Sequence, residues 1–236
     1  MGKVGDGICS KNSLWSFEDE KVVAAFDEHV SKSVPMYSEG HDLILRFSDY
    51  FTHKNSKIFE IGSSTGVFSN KIYERTKEKK VKVTGIDISE EMTKFANDKY
   101  SNDNCTFIFD DAINQDLSDS DMIVAYYTIQ FINPSKRQEI INKIYDSLNW
   151  GGAFFMFEKT RGMDARFQDM ITSVYYDYKI SEGYSLEEIM SKHLSLKGVL
   201  EPFSTKGNID MLKRAGFIDI NTIFKFVPFE GFLAIK

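Results

Sequence analysis

The chain's densest stretch of chemistry is Phe59-Glu60-Ile61-Gly62-Ser63-Ser64-Thr65-Gly66, an apolar run that reaches an acid and then two glycines. Glycine lets a backbone close on a ligand where a side chain would collide. The spacing E-x-G-x-x-x-G is not the G-x-G-x-x-G of a pyrophosphate site, and no lysine and hydroxyl pair follows it as in a nucleoside triphosphate loop. A nucleoside that carries positive charge beside Glu60, rather than phosphates, suits it better. Two more acids repeat the theme. Asp87 closes the apolar run 81–86 and is placed to grip a ribose diol, and Asp110 and Asp111 follow the run 106–109, where either could reach an adenine amino group.

These residues need strands that end at one edge. Runs 57–61, 81–86, 106–109, 122–127 and 153–158 predict five strands, the last entered through a turn at Asn149-Trp150-Gly151-Gly152. Helices are expected over 65–73 and 136–147, and a late helix ending at Ala215 stops on Gly216. Runs 218–226 and 231–235 read as a closing antiparallel hairpin. The pattern is a doubly wound α/β domain spanning residues 1–236, in which ligands bind beyond the carboxyl ends of the strands. S-adenosylmethionine is the cofactor that this arrangement calls for.

Residues 1–50 predict a helical cover for the cofactor or for one sheet edge. Its first helix is capped by Ser16 with Asp19 three residues on, and an extended break is expected at Ser33-Val34-Pro35-Met36-Tyr37, because proline drives the preceding residue out of helical geometry. Residues 161–205 read as a helical insertion, rich in tyrosine and methionine, over the active site. A net charge of -6 and the mixing of Lys71, Arg75, Lys77, Lys79 and Lys80 with Glu74 and Glu78 argue against direct nucleic-acid binding. Two cysteines, Cys9 and Cys105, are too few for a zinc site, so no metal is expected. The lack of a long apolar stretch and of a secretory signal predicts a cytoplasmic protein without a membrane anchor.

The segments SVPMY, EIGSSTG, GIDIS, TIQF, FFMFEK, YYDYKISEGYS and KRAGF together resemble the carboxy-S-adenosylmethionine synthase family, from about Trp15 to Lys236. The resemblance implies a class I methyltransferase, Rossmann-like fold with a mostly parallel seven-stranded sheet. It also implies a homodimer that uses S-adenosylmethionine and prephenate to make a carboxylated sulfonium cofactor, later consumed in modifying the wobble uridine of tRNA. Its cofactor contacts fall here on Tyr37, Gly62, Ser63, Ser64, Asp87, Ile88, Asp111 and Ala112, beside Glu60 and Gly66 from the loop itself.

Two positions depart from the family pattern. Tyr126 replaces an asparagine, and His193 replaces the arginine that grips the added carboxylate. Arginine offers a permanently charged fork, whereas a histidine near neutral pH is only partly protonated, so losing that grip would cost about 1.5 to 3 kcal/mol. The sequence therefore leads to a methyltransferase that acts on a small-molecule acceptor. His193 is then its candidate base, Tyr126 touches both cofactor and acceptor, and Tyr127, Tyr175, Tyr176 and Tyr178 surround the acceptor. The alternative is the synthase itself, which would require a cation from elsewhere, with Arg161, Arg166 and Arg214 as candidates.

Overall fold

The structure is a computed structural model that describes residues 20–236. The Ser16 cap and Asp19 lie outside the described residues. Helices α1 (Glu20–Ser33) and α2 (Tyr37–Phe51) precede the first strand. They are separated as expected at Pro35, but by a turn rather than an extended link, because Met36 adopts a left-handed conformation (φ 54) at the head of α2. The remaining elements run β1 (Lys57–Ile61), α3 (Val67–Thr76), β2 (Lys82–Asp87), α4 (Glu90–Tyr100), β3 (Cys105–Phe109), β4 (Ser120–Tyr126), α5 (Pro134–Ser147) and β5 (Leu148–Lys159). They close with α6 (Ala165–Ser181), α7 (Leu186–Ser195), α8 (Thr205–Ala215), β6 (Asp219–Phe226) and β7 (Phe229–Ile235).

Seven strands form one sheet in the order β3-β2-β1-β4-β5-β7-β6. β1 to β5 pair in parallel, and β7 lies antiparallel between β5 and β6. Alternation along the strands gives each face its own core. One face sets Ile58, Val124, Tyr126, Phe155 and Phe157 against Ile44, Phe68 and Ile72 from α2 and α3. The other sets Ile123, Ala125, Phe154 and Phe232 against Ile141 and Ile144 of α5 and Leu212 of α8. The expected doubly wound architecture with a closing hairpin is what the chain adopts.

Among the boundaries that differ from the sequence reading, two have a clear local cause. β5 starts at Leu148, because the stretch read as a turn is drawn into the ladder. Gly151 N–H donates to Lys236 O and Lys236 N–H donates to Gly152 O, at 2.8 and 3.0 Å. α3 starts at Val67 rather than Thr65, since Gly66 takes a left-handed conformation (φ 78) that a helix interior excludes.

The helical cover meets the sheet through one close contact. The Tyr126 hydroxyl donates to the carbonyl of Tyr37 at 2.6 Å, and a Cβ on Gly40 would stand 2.2 Å from that hydroxyl. Gly40→Ala is therefore expected to lower stability by about 1–3 kcal/mol through overpacking. Chemical denaturation should show a smaller loss when Gly40→Ala is made in a Tyr126→Phe background, the non-additivity expected of touching groups.

Candidate functional site

Strand register sets the site. Ile61 is level with Ile86 on one side and with Ala125 on the other, so Gly62, Asp87 and Tyr126 emerge together where the strand order reverses. The loop after β1 is a chain of tight approaches. Gly62 and Ser63 donate their N–H groups to Ile86 O at 2.8 and 3.1 Å. Gly62 is left-handed (φ 74), and a Cβ there would reach within 2.3 Å of the Thr128 hydroxyl, so glycine is required. Ser64 takes a positive φ of 50, strain that a non-glycine residue accepts where the surroundings fix it.

Asp87 is held from both sides: Ser64 N–H donates to Oδ2 at 2.7 Å and Ser89 N–H to Oδ1 at 2.9 Å. Burial pushes its carboxyl pKa up, and those backbone donors oppose the shift. Glu60 is buried and accepts from the Ser69 hydroxyl at 2.5 Å. Burial raises its carboxyl to about 8 against the Ser69 hydrogen bond, with the Asp87 charge adding to the rise.

These groups open on a cavity of about 670 Å³ roofed by α1, α6 and α7. That is the size of a small-ligand site. Three buried polar atoms on its wall have no partner among the described residues: Ser63 Oγ, His41 Nε2 and Tyr127 hydroxyl. Tyr127 is also left-handed (φ 60), unusual for an aromatic residue. Orphaned donors and acceptors beside an acid held for a diol fit a nucleoside with a polar amino-acid tail. Glu60, Asp87 and these three atoms would hold S-adenosylmethionine, which supplies an electrophilic sulfonium methyl group.

Of the residues picked from the sequence, Tyr37, Glu60, Gly62, Ser63, Ser64, Asp87, Ile88, Tyr126, Tyr127, Tyr175, Tyr176 and His193 line this cavity. His193 is exposed at the rim, with Nδ1 3.4 Å from the Tyr176 hydroxyl. Gly66, Asp111, Ala112 and Tyr178 do not line it. Gly66 packs toward Phe107 and Ala96. Asp111 Oδ1 accepts from Ile113 N–H at 3.0 Å in a local turn, Ala112 belongs to the core under α5, and Tyr178 stacks on Tyr175. Among the arginine candidates Arg161 is on the wall, while Arg214 is spent on Gln138 at 2.8 Å and Arg166 lies off the cavity.

Several wall residues escaped the sequence reading. His29 and His41 both face the cavity and are kept neutral by burial, which brings each to about 3. Lys159, Lys179 and Lys192 give the far end a cationic wall. Lys159 had a readable signal, since it directly follows the fifth strand at the ligand-binding edge. The others depend on how α1, α6 and α7 pack.

The strand order, the crevice and this cavity define a class I S-adenosylmethionine-dependent methyltransferase fold. A methyltransferase-domain family model matches residues 58–152. Human N-acetylserotonin methyltransferase in complex with S-adenosylmethionine superposes with a TM-score of 0.64 at 16% identity, over 93% of this chain and 57% of that one. PigF with S-adenosylhomocysteine gives 0.63 at 17% identity, over 93% and 61%. Proteins named carboxy-S-adenosyl-L-methionine synthase match more fully. The one from Nautilia profundicola is 40% identical, covering 98% of this chain and 99% of its own. That from Staphylococcus epidermidis is 36% identical, covering 94% and 97%. The chain belongs to the carboxy-S-adenosyl-L-methionine synthase family, whose members are S-adenosylmethionine-dependent enzymes.

Asp87→Ala is expected to weaken S-adenosylmethionine binding about 10- to 100-fold by calorimetry, the size of lost charge-assisted hydrogen bonds. Glu60 carries a pH signature. Its folded pKa of about 8 lies above the ordinary 4.5, so its contribution to stability is full at low pH and is lost as pH rises from about 4.5 through about 8. Glu60→Gln should flatten that part of the stability profile of the ligand-free protein, as followed by denaturant melts.

Proposed function

We propose that the chain carries out its family's carboxyl transfer, making a carboxylated S-adenosylmethionine from S-adenosylmethionine and prephenate, rather than methylating a neutral small acceptor. The observation that carries this reading is the basic character of the cavity lining, to which Lys159, Arg161, Lys179 and Lys192 all belong. A neutral aromatic acceptor has no use for four cations, whereas a dicarboxylate does.

The atoms balance. Loss of the ring carboxyl and ring hydroxyl aromatises prephenate to phenylpyruvate, the hydroxyl leaves as water with a proton from the sulfonium methyl group, and the carboxyl carbon ends bonded to that methyl carbon. The chain's own part is positioning and exclusion of water. Tyr37, Tyr126 and Tyr127 form a ring cluster beside the cofactor seat, with centroids 4.7 to 6.2 Å apart. Aromatic faces favour a sulfonium. Burial keeps the phenols of Tyr126 and Tyr127 protonated, so neither is a ready base.

The same reading includes a homodimer. On α7, Leu186, Met190 and Leu194 recur every fourth residue and are exposed, and on α6 so are Phe167, Met170 and Val174. Large exposed apolar groups in register on two neighbouring helices suit an interface between copies.

Mass spectrometry of the nucleoside released from freshly purified protein, and of products formed with S-adenosylmethionine and prephenate, tests the reaction. The expected product is the carboxylated sulfonium; S-adenosylhomocysteine formed by methylating small acceptors would replace this reading with methyl transfer. Met190→Glu with Leu194→Glu should give monomers in sedimentation where the parent sediments as a dimer.

A further inference from the structure

The cofactor seat occupies one end of the cavity, and a continuous aromatic wall leads from it to the other. Tyr37 stacks on Tyr127 at 6.2 Å, Tyr127 meets Phe229 edge-on at 5.6 Å, and Phe229 meets Tyr175 at 5.3 Å. All four line the cavity. The Lys159 ammonium lies at the end of this wall, 4.7 Å from the centroid of Tyr175. Among the described residues no carboxylate pairs with it. Lys179 sits over the same ring at 5.3 Å. Burial, with Lys179 and Arg161 as like-charged neighbours, brings the Lys159 ammonium down to about 8.

The backbone that presents this lysine is fixed on every side. Lys159 N–H donates to Gln130 Oε1 at 2.7 Å. Thr160 N–H donates to Pro228 O at 2.5 Å, and Arg161 N–H to Phe203 O at 3.0 Å. A sheltered cation pressed by other cations, and held rigidly, is unfavourable in the empty protein and becomes favourable when an anion arrives. The competitors are placed less well. Arg161 is exposed and donates its Nε to Pro202 O at 3.1 Å, and His193 is at the rim.

We infer that Lys159, at the end of β5, is the seat of the carboxylate being transferred. The inference rests on the carboxyl-transfer reading for the identity of the anion, and on the geometry of β5 for the seat.

Lys159→Met removes the charge and keeps an extended apolar side chain. Prephenate is titrated calorimetrically into the full chain loaded with S-adenosylhomocysteine. The parent should bind it, Lys159→Met about 10- to 100-fold more weakly, and Lys159→Arg close to the parent. The affinity for S-adenosylhomocysteine should change less than about twofold, as for a separate site. Ligand-free Lys159→Met should melt no lower than the parent, because an uncompensated sheltered charge has gone. Unchanged prephenate affinity would overturn the inference, as would a lower melting temperature with equal losses for both ligands, which would mark Lys159 as a structural support. A parent that makes the carboxylated nucleoside while Lys159→Met keeps its KM for prephenate leaves carboxyl transfer standing without this seat. A parent that binds prephenate through Lys159 yet makes no carboxylated product leaves the seat and removes the reaction. No prephenate binding by the parent removes the seat.

Discussion

The walls of the cavity depend on one buried guanidinium. Arg137, on α5 and 2% exposed, donates to three backbone carbonyls: Ile132 through Nε at 2.8 Å, Glu201 through one terminal nitrogen at 2.7 Å, and Gln130 through the other at 2.9 Å. Its plane lies over Phe203 at 4.4 Å. Two of those carbonyls belong to the loop after β4 and the third to the return from the helical insertion. The loop passes the constraint onward, since Gln130 donates to Tyr127 O and accepts from Lys159 N–H. One side chain thus ties the cofactor edge, the end of β5 and the roof to the body of the sheet. Removing it would take this donor from the carbonyls of Ile132 and Glu201, while Gln130 O would keep the Glu201 N–H at 3.2 Å, and each sheltered acceptor left unmatched costs about 1–3 kcal/mol.

Around that clamp the chain tolerates arrangements that a merely stable protein would avoid. Glu158 and Glu230 face each other across β5 and β7, both buried. Burial drives the Glu158 carboxyl well up, against the pull of Arg137. Glu230 collects Thr205 and Lys225 at 2.7 Å each. Strained Ser64 and Tyr127, neutral buried histidines and the cationic wall all lie on the cavity, where a ligand supplies what the protein alone lacks.

Much of this was legible in the sequence where the physics is local. The strands announced themselves through apolar runs, and Gly62 and Asp87 through the turn chemistry at strand ends, so the cofactor edge could be read residue by residue. Ala112 came from resemblance alone and Asp111 also from its place after the third strand; both stand away from the cavity wall, one in the core and one in a turn. The cationic end was harder. Lys159 lies in a segment whose neighbours in sequence are core phenylalanines, and only the arrival of α6 at that strand end makes its charge conspicuous. His41 reads as a surface histidine beside Glu39 and Asp42 until α2 is laid on the sheet, where its ring packs 4.4 Å from that of Tyr126.

α7 has two surfaces and only ten residues. Ile189, Lys192, His193 and Leu196, the last its cap, look toward the cavity, while Leu186, Met190 and Leu194 look outward. A helix of that length is marginal on its own, even with the Ser185 and Glu188 capping box that starts it. Its order is therefore borrowed from whatever packs on it. A molecule that settles on the inner surface lowers the entropic cost of covering the outer one, and the reverse holds by the same amount. Under the proposed homodimer, occupancy of the cavity and association of chains are, through this short segment, two legs of one thermodynamic cycle.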